Sequence, residues 1–295
     1  MHKIIDTCKK FYAKDIIFVE TTRPITDMKR ILLLLAVLVF SGTTLAKPQT
    51  LFSPDGRIQV VITTDAALSY DVLADGVPVM TGNRLSLTLA DRVLGPDAKL
   101  QKAIRSSLDE IRHPVVPLKF SSVQNRCNIL TLKFKGGWQV EFRAYDDGIA
   151  YRFVTALGGS IDVMDEEIGI RFAREGSYTL QECKRFFSDY EEKYTHPAIS
   201  EWEQMAHLPI LAGFGEGRNV FISESNVSDY PAAFYCGTGE GGLKATFPKD
   251  PVAFGPDGDR ALEILETAPY LTRTAGTRSF PWRYFVLTRT DGDLL

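Results

Sequence analysis

Phe142-Arg143-Ala144-Tyr145-Asp146-Asp147-Gly148-Ile149-Ala150-Tyr151-Arg152-Phe153 is the stretch that decides the fold. Apolar and polar residues alternate on both sides of an Asp-Asp-Gly turn. Successive side chains therefore fall on opposite faces, which is the period of paired strands. The turn chemistry predicts a hairpin in which Gly148 supplies a positive φ for a tight connection.

The same rhythm runs outward from this hairpin. Upstream, strand-like runs occupy Trp138 to Tyr145, Asn128 to Phe134 and Leu85 to Leu89. Arg57 to Thr63 follows the turn Ser53-Pro54-Asp55-Gly56, and Asp75-Gly76 joins Leu68–Leu73 to Val77–Met80. Downstream, Ile149 to Val154, Val220 to Ile222, Arg260 to Ile264 and Trp282 to Val286 repeat the pattern. No stretch carries a capped helical stripe. The expectation is an all-β antiparallel sandwich of many strands with few short helices. Two segments break the period. Residues 90 to 118 are polar and contain proline, with Leu108 to Arg112 unassigned. Residues 182 to 208 form a long aromatic and charged connection, a kind that is often functional.

Near the N-terminus, Met28-Lys29-Arg30, an apolar run from Ile31 to Phe40 and small residues up to Ala46 read as an export signal, residues 28–46. The run is shorter than the about 20 residues of a membrane span, so no stable span is expected. Residues 1–27 read as an upstream extension from an early start; the competing reading is a cytoplasmic tail before an uncleaved anchor. The expected location is periplasmic or otherwise exported. The folded domain is expected over 47–290, with 291–295 opening a linker. Beyond residue 46 the chain keeps 27 of its 34 Lys and Arg and 33 of its 37 Asp and Glu, so net charge moves from −3 to −6. A mildly acidic domain without basic clusters excludes nucleic acid as a partner. Cys127, Cys183 and Cys236 give neither a disulfide framework nor a zinc pattern. A Cys183–Cys236 bridge and three free thiols both remain open.

Few residues suggest chemistry. Glu191 and Glu192, flanked by Tyr190 and Tyr194, are either a hard oxygen ligand for Ca²⁺ or a solvated charged loop. Glycoside hydrolysis needs two opposed carboxyl groups about 5–10 Å apart. Adjacent strand residues point to opposite faces, so Glu191 and Glu192 are not that pair, and no catalytic residue is assigned. His113, His196 and His207 lack metal-ligand spacing and read as surface or packing residues. The glycines from Gly213 to Gly217 precede a strand rather than a helix, which excludes a dinucleotide fingerprint.

The hairpin around Gly148 resembles one found in carbohydrate-active, mutarotase-like β-sandwiches. Taken with Ser53-Pro54-Asp55-Gly56-Arg57-Ile58, Asp189-Tyr190-Glu191-Glu192-Lys193-Tyr194, Leu208-Pro209-Ile210-Leu211, Ser223 to Pro231 and Pro281-Trp282-Arg283, the chain resembles the N-terminal domain of glycoside hydrolase family 97. That resemblance implies a large super-β-sandwich from an exported α-glucosidase or α-galactosidase. It implies as partner a central (β/α)₈ barrel carrying the catalytic groups, acting on an α-linked oligosaccharide. It also implies a Ca²⁺ site to which this domain contributes one carboxylate, Glu191, the barrel completing the rest. Glu224 is read as strand-end structure near the domain interface. The barrel carboxylates are absent, so the chain alone is expected to be inactive and to expose an apolar docking face. The alternative is a free-standing carbohydrate-binding module with Trp202, Tyr194 and Phe187 as an aromatic platform. A third reading is a structural or partner-binding exported domain.

Overall fold

The computed structural model describes residues 47–188, 190–259 and 261–294. The signal and upstream-extension readings, as well as Asp189 and Arg260, lie outside these residues. The chain opens as an antiparallel meander of β1 (Gln49–Phe52), β2 (Ile58–Thr64), β3 (Leu68–Ala74) and β4 (Val77–Leu89). The β3–β4 connection is Asp75-Gly76, with φ of 52° and 75°. That double positive φ is the two-residue turn whose twist matches its strands.

After β5 (Val93–Leu94), strands β6 (Leu100–Arg112), β7 (Val123–Phe134), β8 (Trp138–Tyr145) and β9 (Gly148–Arg171) continue as successive antiparallel neighbours. The second half holds β10 (Ser177–Cys183), β11 (Tyr194–Thr195), β12 (Met205–Gly213), β13 (Asn219–Ser225), β14 (Phe234–Gly237) and β15 (Gly242–Thr246). A separate ribbon of β16 (Pro251–Asp257) and β17 (Ala261–Thr267) precedes β18 (Thr272–Ser279) and β19 (Trp282–Leu287). Among the described residues the helix content is one short 3₁₀ turn, Asp291–Leu294.

The sandwich is organised by β9, whose 24 residues serve both layers. Its first part pairs with β8 and β19, its middle with β18, and its last part with β4 and β15. Gly159, at φ 68°, sits where the strand changes neighbours, as expected of a glycine at a strand bend. Strand β12 is shared in the same way, by β13 over Ile210–Gly213 and by β14 over Met205–His207. One layer is thus β6-β7-β8-β9-β19-β13-β12 and the other β1-β2-β3-β4-β9-β15-β14-β12. Between them lies the core. Tyr70 of one layer packs against Phe142, Tyr151 and Phe285 of the other at ring distances of 5.4–6.4 Å.

Two expectations are corrected here, and one open alternative is decided. Gly148 does not take a positive φ. It is needed because a Cβ there would stand 2.2 Å from the Phe285 carbonyl oxygen of β19. Residues 100–112 are strand, not irregular; β6 is an edge strand with both faces largely in water, so no apolar period marks it. Finally, Cys183 and Cys236 are free, because each pairs across a ladder with Met205, whose strand lies between them. Two strand spacings, about 9.5 Å, exceed the reach of a disulfide.

Candidate functional site

Beyond Cys183 the chain loops out and returns as β11, which pairs with Gln181 and Leu180. Three contacts pin the loop to the sandwich. The Gln181 side-chain amide donates to the Glu192 carbonyl at 2.6 Å. Phe186 meets Phe234 edge-on at 5.1 Å, and Tyr190 stacks on His207 at 4.1 Å. Tyr190 does so at φ 62°, a region costly for a bulky side chain. Glu191 and Glu192 are thereby presented to solvent.

An exposed carboxylate on an anchored loop suits a hard cation as one oxygen among six to eight. Among the described residues no three His, Cys, Asp or Glu side chains converge on a metal position. Glu191 has no such cluster around it, so a cation held there would take its remaining oxygens from elsewhere.

His207, beneath the loop, is buried and its Nε2 has no hydrogen-bond partner among the described residues. Burial lowers its pKa below 6.5, although Glu192 pulls the other way. A His with a depressed folded pKa contributes stability that is present above the unfolded value and is lost as pH falls. Lowering the pH from about 7.5 to about 5 should therefore lower the melting temperature of the wild type. His207→Phe should remove that part of the pH dependence, as read by thermal denaturation at both pH values.

The proposed aromatic platform does not form. Trp202 is 2% exposed, packed edge-on against Tyr178, with its indole N–H donated to Glu182 at 2.8 Å. Phe187 and Tyr194 do remain exposed. His196 bonds the Thr179 hydroxyl and His113 the Ser121 carbonyl, in line with packing and surface roles.

Below this face lies an ion network that the sequence reading only touched. Arg283 of β19 meets Glu166 of β9 in a two-pronged contact at 3.1 and 2.6 Å, and also binds Glu224 of β13. Arg283 and Glu166 are almost wholly buried. Burial alone would lower the Arg283 pKa, but the two carboxylates hold it firmly protonated. Burial raises that of Glu224, the guanidinium only partly offsetting it. Glu224 also accepts the Ala233 N–H at 3.0 Å, fixing the segment between β13 and β14. Glu224 is thus more than strand-end structure. Each of the three charges sits on the inward phase of its strand, alongside Ile168 and Ile170, Val220 and Ile222, and Phe285 and Leu287. A charged residue on an apolar phase is the signal that finds them.

The segment that Glu224 fixes forms one wall of a groove of about 470 Å³, with Tyr230 and Pro231 facing Phe186 and Phe187. Pro251 and Ile264 of the β16–β17 ribbon extend the same wall. The ribbon has no ladder to the rest of the sheet among the described residues. Its Val252, Phe254, Leu262 and Leu265 are each more than half exposed. A lone two-stranded ribbon is marginal in water, and large apolar side chains left exposed on it are of the kind that mark an interaction site.

Comparison with known proteins agrees with this architecture. The family profile described as Glycosyl-hydrolase 97 N-terminal matches residues 51–295. The retaining alpha-galactosidase of Bacteroides thetaiotaomicron is 35% identical over 286 residues, covering 89% of this chain and 42% of that protein. A glycoside hydrolase family 97 enzyme from Pseudoalteromonas sp. strain K8 superposes with a TM-score of 0.67 at 18% identity, over 82% of this chain and 36% of its own. A crystal structure of a beta-arabinopyranosidase gives a TM-score of 0.67 at 21% identity, over 82% and 40% of the two chains. The chain therefore spans less than half the length of the curated relative it matches.

Proposed function

The chain belongs to glycoside hydrolase family 97, as its N-terminal domain, and from that premise we propose that it supports the active site of an exported, calcium-dependent α-glycosidase. The catalytic groups lie on a (β/α)₈ barrel that docks against the face bearing Glu191, the Phe186–Phe187 groove and the ribbon. The observation that carries this reading is the company Glu191 keeps. A metal-competent carboxylate stands on the same loop as two exposed phenylalanines, next to an unpartnered apolar ribbon. A domain in isolation gains nothing from either feature; a domain that completes a neighbour's site needs both. The substrate that fits is an α-linked oligosaccharide, as the name of the Bacteroides relative suggests.

The test is a chimaera in which residues 51–290 replace the matching domain of the retaining alpha-galactosidase. We expect calcium-dependent hydrolysis. Glu191→Gln should weaken calcium binding by at least about tenfold, since affinity follows the number of charged ligands. Phe254→Ser with Leu265→Ser should leave the stability of the chain alone within about 0.5 kcal/mol but lower that of the chimaera. Unchanged calcium affinity in the Glu191 variant would remove the metal assignment.

A further inference from the structure

At the end of the sandwich where β3 turns into β4, the β3–β4 and β12–β13 turns part to leave a cleft of about 400 Å³. Its floor is apolar, built from Val77 to Val79 on one side and Phe214 on the other. Its rim carries three guanidinium groups, Arg174, Arg218 and Arg289, and its back wall a fourth, Arg57, against two carboxylates, Asp75 and Glu216. That balance reverses that of the domain as a whole, which beyond residue 46 has 33 acidic against 27 basic side chains.

The two carboxylates make no hydrogen bond to the cleft's arginines. Arg289 lies 3.7 Å and Arg57 3.8 Å from Asp75, and Arg218 is 3.6 Å from Glu216. All three separations are too long for hydrogen bonds. Arg174, exposed just beyond β9, makes no ion pair among the described residues. Arg57 is different: its side chain is 8% exposed and donates to the Asp146 carbonyl at 2.8 Å, so it forms a fixed back wall.

Guanidinium forks bind carboxylates and phosphates through paired N–H donors. A bare inorganic anion would meet the rim and leave the floor unused. A volume of about 400 Å³ falls within the range of small-molecule sites, about 300–1,000 Å³. Pro78 and Phe214 offer an apolar surface suited to the C–H face of a pyranose, while Asp75 and Glu216 can accept from ring hydroxyls. We propose that this cleft binds a carboxylated sugar, a hexuronate, with its carboxylate held by Arg174, Arg218 and Arg289 above the Val77–Phe214 floor. This site needs neither the barrel nor calcium, so it stands apart from the function proposed above.

The test is calorimetric titration of the full chain with galacturonate, with galactose and sulfate as comparators. Galacturonate should bind in about the millimolar range, at least about tenfold more tightly than either comparator, and more weakly as salt is raised. Arg174→Gln combined with Arg218→Gln alters exposed side chains only. It should keep the melting temperature and lose at least about tenfold in affinity. Four results overturn the proposal: no heat with galacturonate at about 50 mM, galactose or sulfate binding equally well, binding insensitive to salt, or a folded double variant that binds as the wild type does.

Discussion

Arg283→Met should destabilise the domain by about 3–5 kcal/mol, because it leaves the Glu166 and Glu224 carboxylates facing each other in the core without a cation. Domains of this kind hold about 5–15 kcal/mol in all, so the variant loses a large share of its margin. The loss comes from uncompensated burial of charge, not from the net worth of the ion pairs. Replacing the whole network should therefore be far milder than removing its centre. Arg283→Met with Glu166→Leu and Glu224→Gln should recover much of the stability, the glutamine oxygen still accepting the Ala233 N–H. Urea denaturation of the single and triple variants checks both. A triple variant weaker than the single one would show that the network itself, rather than its charge balance, stabilises the fold. The single variant should also loosen the wall of the groove, since Glu224 holds the segment that carries Tyr230 and Pro231.

Gly148→Ala should cost about 3 kcal/mol or more, although it adds only one methyl group. The added Cβ would lie 2.2 Å from the Phe285 oxygen and 3.1 Å from its carbon, both backbone atoms of the neighbouring strand. No rotamer change relieves such a clash; β9 and β19 would have to separate, breaking the register that pairs Gly148 with Val286. A comparison with Gly56→Ala separates the two reasons for needing glycine. Gly56 has φ 76° and open space around it, so alanine there meets only backbone strain, about 1 kcal/mol. Urea midpoints of the two variants should differ clearly, with the Gly148 variant the lower. Equal midpoints would mean that the strands yield at this position.

How far the sequence reaches is clearest at individual strands. Alternation alone places β8, which occupies Trp138–Tyr145 as expected, because one face is wholly buried and the period is uninterrupted. It fails at β6, where neither face is buried along most of the length and nothing forces apolar residues into alternate positions. It also breaks β4 into two runs, because Thr81, Gly82 and Arg84 carry no apolar signal where the strand passes between pairing partners. Trp202 shows the opposite error: an aromatic in a charged loop looks like a ligand platform, yet its indole is buried against Tyr178. Glu191 was legible as an exposed, loop-borne carboxylate. Glu166 was not, because its partner Arg283 lies 117 residues away and only the crossing of β9 between layers brings them together.

The central proposal is a division of labour, in which this sandwich presents a carboxylate and a docking face while a barrel does the chemistry. The most direct measurement is release of nitrophenol from a nitrophenyl α-galactoside by the full chain alone and by the chimaera carrying residues 51–290, with and without calcium. The chain alone should show no turnover, and the chimaera calcium-dependent turnover. Hydrolysis by the chain alone at an enzyme-like rate, about 1 s⁻¹ or faster, would contradict it.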